Sequence, residues 1–409
     1  MKNVLVNELD NFWFGVANNS PALVHEPTWG GLVSKESVGS PETDFGIYYY
    51  NDHHFHYGYF INAAATLAKH YPEYYNSRLE YFNVILADFA GTCLFKEMAC
   101  RPRNKDPFMG HSYASGLFEF ADSRNQESTS EAINSYWAVR ELGKATNNQT
   151  LHDLGDYLLS SEIVATKTYW QIKSPSSIYE QPYAKNGVVG ILWETKVDYA
   201  TWFGANVEFI YGIQMLPFNA ITTQHLDKDW LKETRSIWSA PINNAATEEG
   251  WKGFLLLADA IVDPNRAGIS SQIHGLVDYD NGNTRANTLY FYYSVGGTVP
   301  GSQPEITTQP SGGTTTTAST ITTGCTGAGC TTDFGKPDPA CAPTQLGCHS
   351  LSGSLVGCYE IANSQCFYGG SICPKPLKAC VNPTSPAPGA ACYDPALYNC
   401  LNGNLVFIG

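Results

Sequence analysis

Two segments of this 409-residue chain combine carboxylates with groups that hold hydroxyls. The first is Asp52-His53-His54-Phe55-His56-Tyr57-Gly58-Tyr59-Phe60. The second is Asn125-Gln126-Glu127-Ser128-Thr129-Ser130-Glu131-Ala132. A carboxylic acid on one segment and a carboxylate on the other, facing across a cleft, is what cleavage of a glycosidic bond requires. One protonates the leaving oxygen while the other activates water or attacks the anomeric carbon. Glu127 and Glu131 lie one helical turn apart on a shared face, so the two cannot by themselves form an opposed acid and base. Burial of such a pair pushes a carboxyl pKa upward, and a helix N-terminus offsets part of the repulsion.

Each motif also has a plainer reading. Asp52 precedes a helix and would serve there as its N-cap. Glu127 and Glu131 would suit a solvated first turn. The histidine-rich turn raises a metal site, yet ligands come as a rule from several elements with acidic or cysteine partners at suitable spacing, and none is expected here. Between the two segments, Asp106-Pro107-Phe108-Met109-Gly110-His111 supplies Asp106 and His111 as candidate sugar-binding groups, with His56 and Asn125 beside the carboxylates. For Asp106 and His111 the competing reading is a polar loop with a satisfied histidine.

The elements that must position these groups read as helices. Residues 59–71, 78–89, 128–145, 151–165, 226–237 and 247–261 carry apolar residues at helical spacing. The stretch 178–202, centred on Val188-Val189-Gly190-Ile191-Leu192-Trp193, is strand-like or irregular. Successive helix pairs with long loops predict a mainly α protein and fit an α/α toroid. Periodicity alone does not separate a toroid from another helical array.

Composition narrows the function. A net charge of −14, from 38 acidic against 24 basic residues, excludes a nucleic-acid partner, because phosphate binding needs a concentrated basic surface. Aromatic residues are 13% of the chain and charged ones 15%, a balance suited to stacking on neutral ligands such as sugars, although most rings belong to the core. No stretch is long and apolar enough to span a membrane.

Ten of twelve cysteines fall between Cys325 and Cys400, which implies a disulfide framework and an oxidising compartment. Cys93 and Cys100 either pair or remain thiols. No secretory signal is visible at residues 1–14, so the chain is expected to lack its natural N-terminus. Asn18 and Asn148 stand in N-glycosylation patterns.

Three regions follow: 1–298 as the helical domain, 299–323 as a Thr/Ser/Pro/Gly-rich linker with its Thr314–Thr317 run, and 324–409 as a cysteine-rich module. The module contains a repeat: Cys358-Tyr359-Glu360, Cys366 and Gly369 return as Cys392-Tyr393-Asp394, Cys400 and Gly403. The position equivalent to Cys373 is Phe407. If Cys373 bonds within its own copy, a cysteine of the second copy is orphaned.

The motifs Tyr49-Tyr50-Asn51-Asp52-His53-His54-Phe55-His56-Tyr57-Gly58-Tyr59, Gly110-His111-Ser112, Asn125–Ala132 and Gly212–Pro217 resemble glycoside hydrolase family 81, the endo-β-1,3-glucanases, over residues 29–293. That resemblance implies an (α/α)6 toroid, its completeness at the N-terminus left open, and inverting hydrolysis of β-1,3-glucan without metal or organic cofactor. It makes Asp52 the general acid and one of Glu127 and Glu131 the base, with a lean to Glu127. It makes His56, Asp106, His111 and Asn125 glucosyl-binding residues. The expected setting is the cell wall or extracellular space, and the expected form a monomer.

Two features depart from the family. The β-sandwich that precedes the toroid is nearly absent, and Tyr113 stands where tryptophan is expected. The tail resembles carbohydrate-binding module family 52 through Cys392-Tyr393-Asp394-Pro395 and Asn402-Gly403-Asn404-Leu405, which implies glucan binding. Tyr359, Tyr368, Tyr393 and Tyr398 then either stack on glucose or pack on disulfides. The alternative function is a non-catalytic glucan-binding wall protein, and a metallohydrolase built on the histidines comes third.

Overall fold

A computed structural model describes residues 2–16, 20–92 and 101–300, together with short segments between 340 and 407. Cys93, Cys100, Asn18 and nearly all of the linker lie outside the described residues. The chain divides into two compact units, Met1–Ile306 and Thr307–Gly409.

The first unit is mainly helical. Helix α1 (Lys2–Glu8) is followed by the hairpin β1 (Leu23–Glu26) and β2 (Gly31–Ser34). Then come α2 (His53–His70), α3 (Pro72–Ser77) and α4 (Leu79–Ala90). A short strand β3 (Asn125–Gln126) leads into α5 (Thr129–Ala145) and α6 (Gln149–Tyr169). Strands β4 (Ile191–Trp193) and β5 (Val197–Asp198) complete a small antiparallel sheet of order β3-β4-β5. Helices α7 (Val207–Gly212), α8 (Thr222–His225), α9 (Lys228–Trp238), α10 (Glu249–Val262), α11 (Ile269–Gly275) and α12 (Arg285–Ser294) follow.

Two large apolar clusters hold this unit together. One gathers α2, α4, α5 and α6 around Tyr57, Ile61, Phe82, Phe89, Ile133, Tyr136 and Leu158. The other gathers α7, α9, α10, α11 and α12 around Trp230, Phe254, Leu257, Ile273 and Phe291. Polar residues at the helix starts close the open N–H groups: Ser128 caps α5, Asn148 caps α6, Asp227 caps α9 and Thr284 caps α12. Asn148, read in the sequence as a glycosylation acceptor, uses its side-chain oxygen to accept from Leu151 N–H at 3.1 Å.

Helices α5 and α6 approach at two glycines. A Cβ at Gly155 would lie 2.3 Å from the Arg140 backbone nitrogen, and one at Gly143 equally close to that of His152. The contact is backbone against backbone and leaves no flexible side chain to yield.

The second unit is built from short hairpins. Strands β6 (Gln345–His349) and β7 (Leu355–Glu360) pair, as do β8 (Ser364–Phe367) and β9 (Ser371–Pro374). The second copy of the repeat gives β10 (Lys378–Ala379) with β11 (Cys392–Tyr393), then β12 (Tyr398–Leu401) with β13 (Asn404–Phe407). Disulfides join Cys341 to Cys358, Cys348 to Cys366 and Cys373 to Cys392. The last corrects the premise of an orphan: Cys373 does not bond within its own copy but bridges to the second. Tyr359 is only 4% exposed and packs with Cys348 and Cys366, so for this tyrosine disulfide packing prevails over stacking on sugar. The side chains of Tyr368, Tyr393 and Tyr398 lie outside the described residues.

Candidate active site

Asp52 occupies the N-cap position of α2 but does not cap it. Its backbone is left-handed (φ 59°, ψ 14°), and its carboxylate makes no capping bond among the described residues. The carboxylate is thereby released for other work. Holding a non-glycine residue in this conformation costs free energy that the surroundings must supply. They do so by cross-bracing. The Asp52 N–H donates to the Ala114 carbonyl at 2.8 Å, the Leu117 N–H to that of Tyr49 at 2.6 Å, and the Gly116 N–H to Asn51 Oδ1 at 2.9 Å.

On the other side of the brace, His53 Nδ1 lies 2.7 Å from Asp88 Oδ1 and its Nε2 lies 2.9 Å from the Ile47 carbonyl. Gly116 permits the approach, because a Cβ there would sit 2.2 Å from the Tyr49 carbonyl oxygen. Gly116→Ala is therefore expected to displace the Asp52 turn, costing about 1–3 kcal/mol of stability and lowering kcat more than it changes affinity. Unchanged kcat and melting temperature would show that the turn tolerates the methyl group.

Glu127 and Glu131 flank the start of α5. Glu127 Oε1 accepts the Trp202 N–H at 2.8 Å, and its carbonyl accepts from Gln214 Nε2 at 2.7 Å. Glu131 Oε1 accepts the Tyr59 hydroxyl at 2.9 Å, from α2. Ser128, between them, caps the helix by accepting the Glu131 N–H.

Three carboxylates thus converge from two elements, and their charges feel one another. Burial, then Glu131, then Glu127 raise the Asp52 pKa well above the usual carboxylate range. Burial raises Glu127 to about 7, with Glu131 adding to the rise and the Trp202 N–H opposing it. Burial also raises Glu131, against the hydrogen bonds from Tyr59 and Ser128. Groups pushed apart in this way can hold a proton on one carboxyl while another stays ionised, which acid–base chemistry near neutral pH demands.

Of the remaining candidates, His56 stands one turn after Asp52 on α2, half-buried, with its ring edge-on to the exposed Phe45 at 5.5 Å. Burial lowers its pKa to about 4, so it is neutral at ordinary pH. Asn125 is two residues before Glu127 on β3 and 2% exposed, and its Nδ2 finds no acceptor among the described residues.

Asp106 spends Oδ1 on the N–H groups of Phe108 and Met109, while Arg124 Nη2 lies 3.8 Å from Oδ2. His111 is 0% exposed: its Nδ1 donates to the Ser112 carbonyl at 2.8 Å and its ring meets Trp170 edge-on. The structure therefore places His111 in the interior. Tyr113, at the expected tryptophan position, is buried under the Arg124 guanidinium.

The three histidines of the first motif serve separate ends. His53 braces the turn, His56 meets Phe45 one turn after Asp52, and His54 Nε2 lies 3.0 Å from Gln126 Oε1 in the core. Among the described residues no group of three or more His, Cys, Asp or Glu is placed to hold a metal ion.

A buried polar core that the sequence did not announce lies behind β3. Gln126 Nε2 donates to Glu162 Oε1 at 2.8 Å, and Lys105 Nζ reaches Glu162 Oε2 at 2.7 Å. Ser112 Oγ also donates to that Oε2 and stands 2.6 Å from the Tyr136 hydroxyl. Successive residues of a strand alternate sides, so anchoring Gln126 inward sets Asn125 on the opposite face. The signal was present only as a lone Lys105 and a glutamate midway through a helix.

Carboxyls with raised pKa values gathered at helix starts are the kind of arrangement a glycosidase uses. The comparisons name the family. Residues 2–289 match the model of the glycosyl hydrolase family 81 C-terminal domain. A glucan endo-1,3-β-D-glucosidase of Glycine max is 34% identical over 289 residues, 69% of this chain and 43% of that protein. One from Arthroderma benhamiae is 36% identical over 247 residues, 59% of this chain and 27% of that protein. The solved structure of a mutant family 81 glycoside hydrolase from Clostridium thermocellum superposes with a TM-score of 0.59 at 28% identity. It covers 72% of this chain and 40% of that one. The chain belongs to glycoside hydrolase family 81. It spans less than half the length of these relatives.

Proposed function

We propose that this chain carries the hydrolytic site of an inverting endo-β-1,3-glucanase. The observation that carries the reading is the convergence of Asp52, released from capping duty, with Glu127 and Glu131 from a separate helix start. The names of the relatives supply the bond: those in soybean and Arthroderma are glucan endo-1,3-β-D-glucosidases. Helices α2, α5 and α6 are then arcs of the (α/α)6 ring that the family resemblance implies.

Asp52 is the general acid, because its raised pKa keeps it protonated until the glycosidic oxygen departs. Glu127 is the base: it draws a proton from a water on the far face of the sugar, for which inversion needs an acid–base separation of roughly 6.5–9.5 Å. Glu131, tied to Tyr59, lies beside the other two and raises the pKa of both. His56 and Asn125 offer neutral hydrogen bonds to glucosyl hydroxyls, and Asp106 offers its remaining oxygen. His111 contributes from within, by supporting the loop that carries Ser112.

The reading makes the site a polysaccharide cleft of a secreted, wall-directed enzyme that acts as a monomer. The three disulfides support an oxidising compartment. The cysteine-rich unit is the glucan anchor. Chain ending at residue 298 should hydrolyse soluble oligosaccharides like the whole chain while losing affinity for insoluble glucan.

Incubation with linear β-1,3-glucan, followed by proton NMR at early times, tests the mechanism: new α-anomers are expected first. β-Anomers would make the mechanism retaining, and no product with glucan still bound would make this a binding protein. The pH dependence is also set. Activity should rise with pH as Glu127 ionises, with a midpoint at about 7, and fall again as Asp52 loses its proton at higher pH. A profile already flat between pH 5 and 8 would remove Glu127 from the base role.

A further inference from the structure

The loop after β5 contains a residue that touches the site through its backbone and the solvent through its side chain. Trp202 donates its N–H to Glu127 Oε1 at 2.8 Å, yet its side chain leaves the residue 54% exposed. With Phe120 and the 41% exposed Phe118 packed against it in turn, the indole belongs to a partly exposed aromatic cluster, the kind of surface that marks a ligand site. The ring does not swing freely. It lies 5.5 Å from Phe120 at a shallow 35° and 5.5 Å from Trp193 at 64°. Trp193 is the strand partner of Asn125, two residues before Glu127.

The loop itself is closed by Thr201. The Thr201 hydroxyl donates to the Gly204 carbonyl at 2.7 Å, and the Thr201 N–H donates to the same oxygen at 2.9 Å. On the far side Phe203 packs on Trp251 and Phe209. Ring, amide and glutamate are therefore linked through one residue.

We propose that Trp202 is a positioning and specificity residue of this hydrolytic site: its indole receives the apolar face of a bound glucosyl unit, and its amide thereby fixes the Glu127 carboxylate. The inference rests on the glucanase reading given above. A pyranose presents a face of axial C–H groups, and an amphipathic aromatic ring is the platform that such a face fits. Pressing a sugar onto the ring holds residue 202 in place, so that binding and orientation of the base occur together. Sugars without such a face at this position would bind without that alignment.

Three variants separate ring from amide. Trp202→Ala keeps the N–H and should raise KM for laminari-oligosaccharides about 3–10-fold, with the midpoint of the acid limb of kcat unmoved. Trp202→Phe should recover most of that loss. Trp202→Pro removes the N–H as well, and should move the acid limb upward by about one pH unit relative to the Ala variant.

If the proline variant does not fold, a backbone ester at residue 202, which keeps the indole and deletes the N–H, should produce the same shift. A KM in Trp202→Ala equal to that of the native chain overturns the platform. An acid limb identical with and without the N–H overturns the positioning role. A native chain that neither binds nor cleaves the glucan overturns the functional reading itself, and this inference with it.

Discussion

Replacing Asp52 with asparagine is expected to lower kcat on β-1,3-glucan by about 10²–10⁴-fold, the range that general acid–base groups contribute, while glucan binding survives. Asparagine is the appropriate replacement for a local reason. Residue 52 is left-handed, and asparagine is among the few non-glycine residues that take this conformation readily. The amide is nearly isosteric, but it cannot deliver a proton to the leaving oxygen. Full activity would remove Asp52 from the acid role.

The same variant should be no less stable, and this sets it apart from a folding defect. Asp52, Glu127 and Glu131 all have folded pKa values above their unfolded ones. Between the unfolded carboxylate range near ~4 and the folded values, the native state therefore binds more protons than the unfolded one. Stability falls as pH rises through that window. Removing one of the three carboxyls relieves part of the loss, so the melting temperature of Asp52→Asn should match or exceed that of the native chain at pH 7. A lower one would mean that the Asp52 carboxylate holds the turn together.

Lys105→Met is expected to have the largest effect on stability. Lys105 and Glu162 meet at 2.7 Å with side chains 1% and 0% exposed. Burial alone would raise the Glu162 pKa, but Lys105 and His111 beside it, with hydrogen bonds from Lys105 and Gln126, hold it below the usual range. Taking away the cation leaves a buried carboxylate without its counter-charge, a loss of roughly 3–5 kcal/mol. For a unit of this size that is a fall of about 10 °C in melting temperature.

Because Glu162 also anchors Gln126, the residue before Glu127, the loss should reach kcat even below the new melting point. The sign with pH is opposite to that of Asp52, Glu127 and Glu131. Glu162 contributes stability above its unfolded pKa that disappears as pH falls through the depressed folded value. The double variant Lys105→Met with Glu162→Leu should recover much of the stability but not the activity. Recovery of both would show that the pair only fills space.

Much of this was legible in the residues. All six helices read from apolar spacing are present as α2, α4, α5, α6, α9 and α10, because each buries a continuous apolar face that local sequence displays. α1, α3, α7 and α8, of four to seven residues, were not read, nor were α11 and α12. The last two are short, and Ile269, Ile273 and Phe291 are too few to stand out until tertiary contacts select them.

The motif around Asp52 was legible as a candidate site but ambiguous in geometry. Capping and catalysis ask for the same residue at the same place, and only the left-handed backbone separates them. The Lys105–Glu162 pair and the Trp202 amide were not legible at all. Each joins residues far apart in sequence, and the second uses a backbone group that every residue possesses.

The disulfide between Cys373 and Cys392 carries a consequence for how the protein meets a protease. An endoprotease that cuts anywhere between those two cysteines breaks the chain but not the molecule. The repeat copies would migrate together on a non-reducing gel and part only when thiol is added. Among these three bonds a cut between Cys366 and Cys373 has no such tether, so as far as they reach a nick there frees the second repeat and a nick after Cys373 does not.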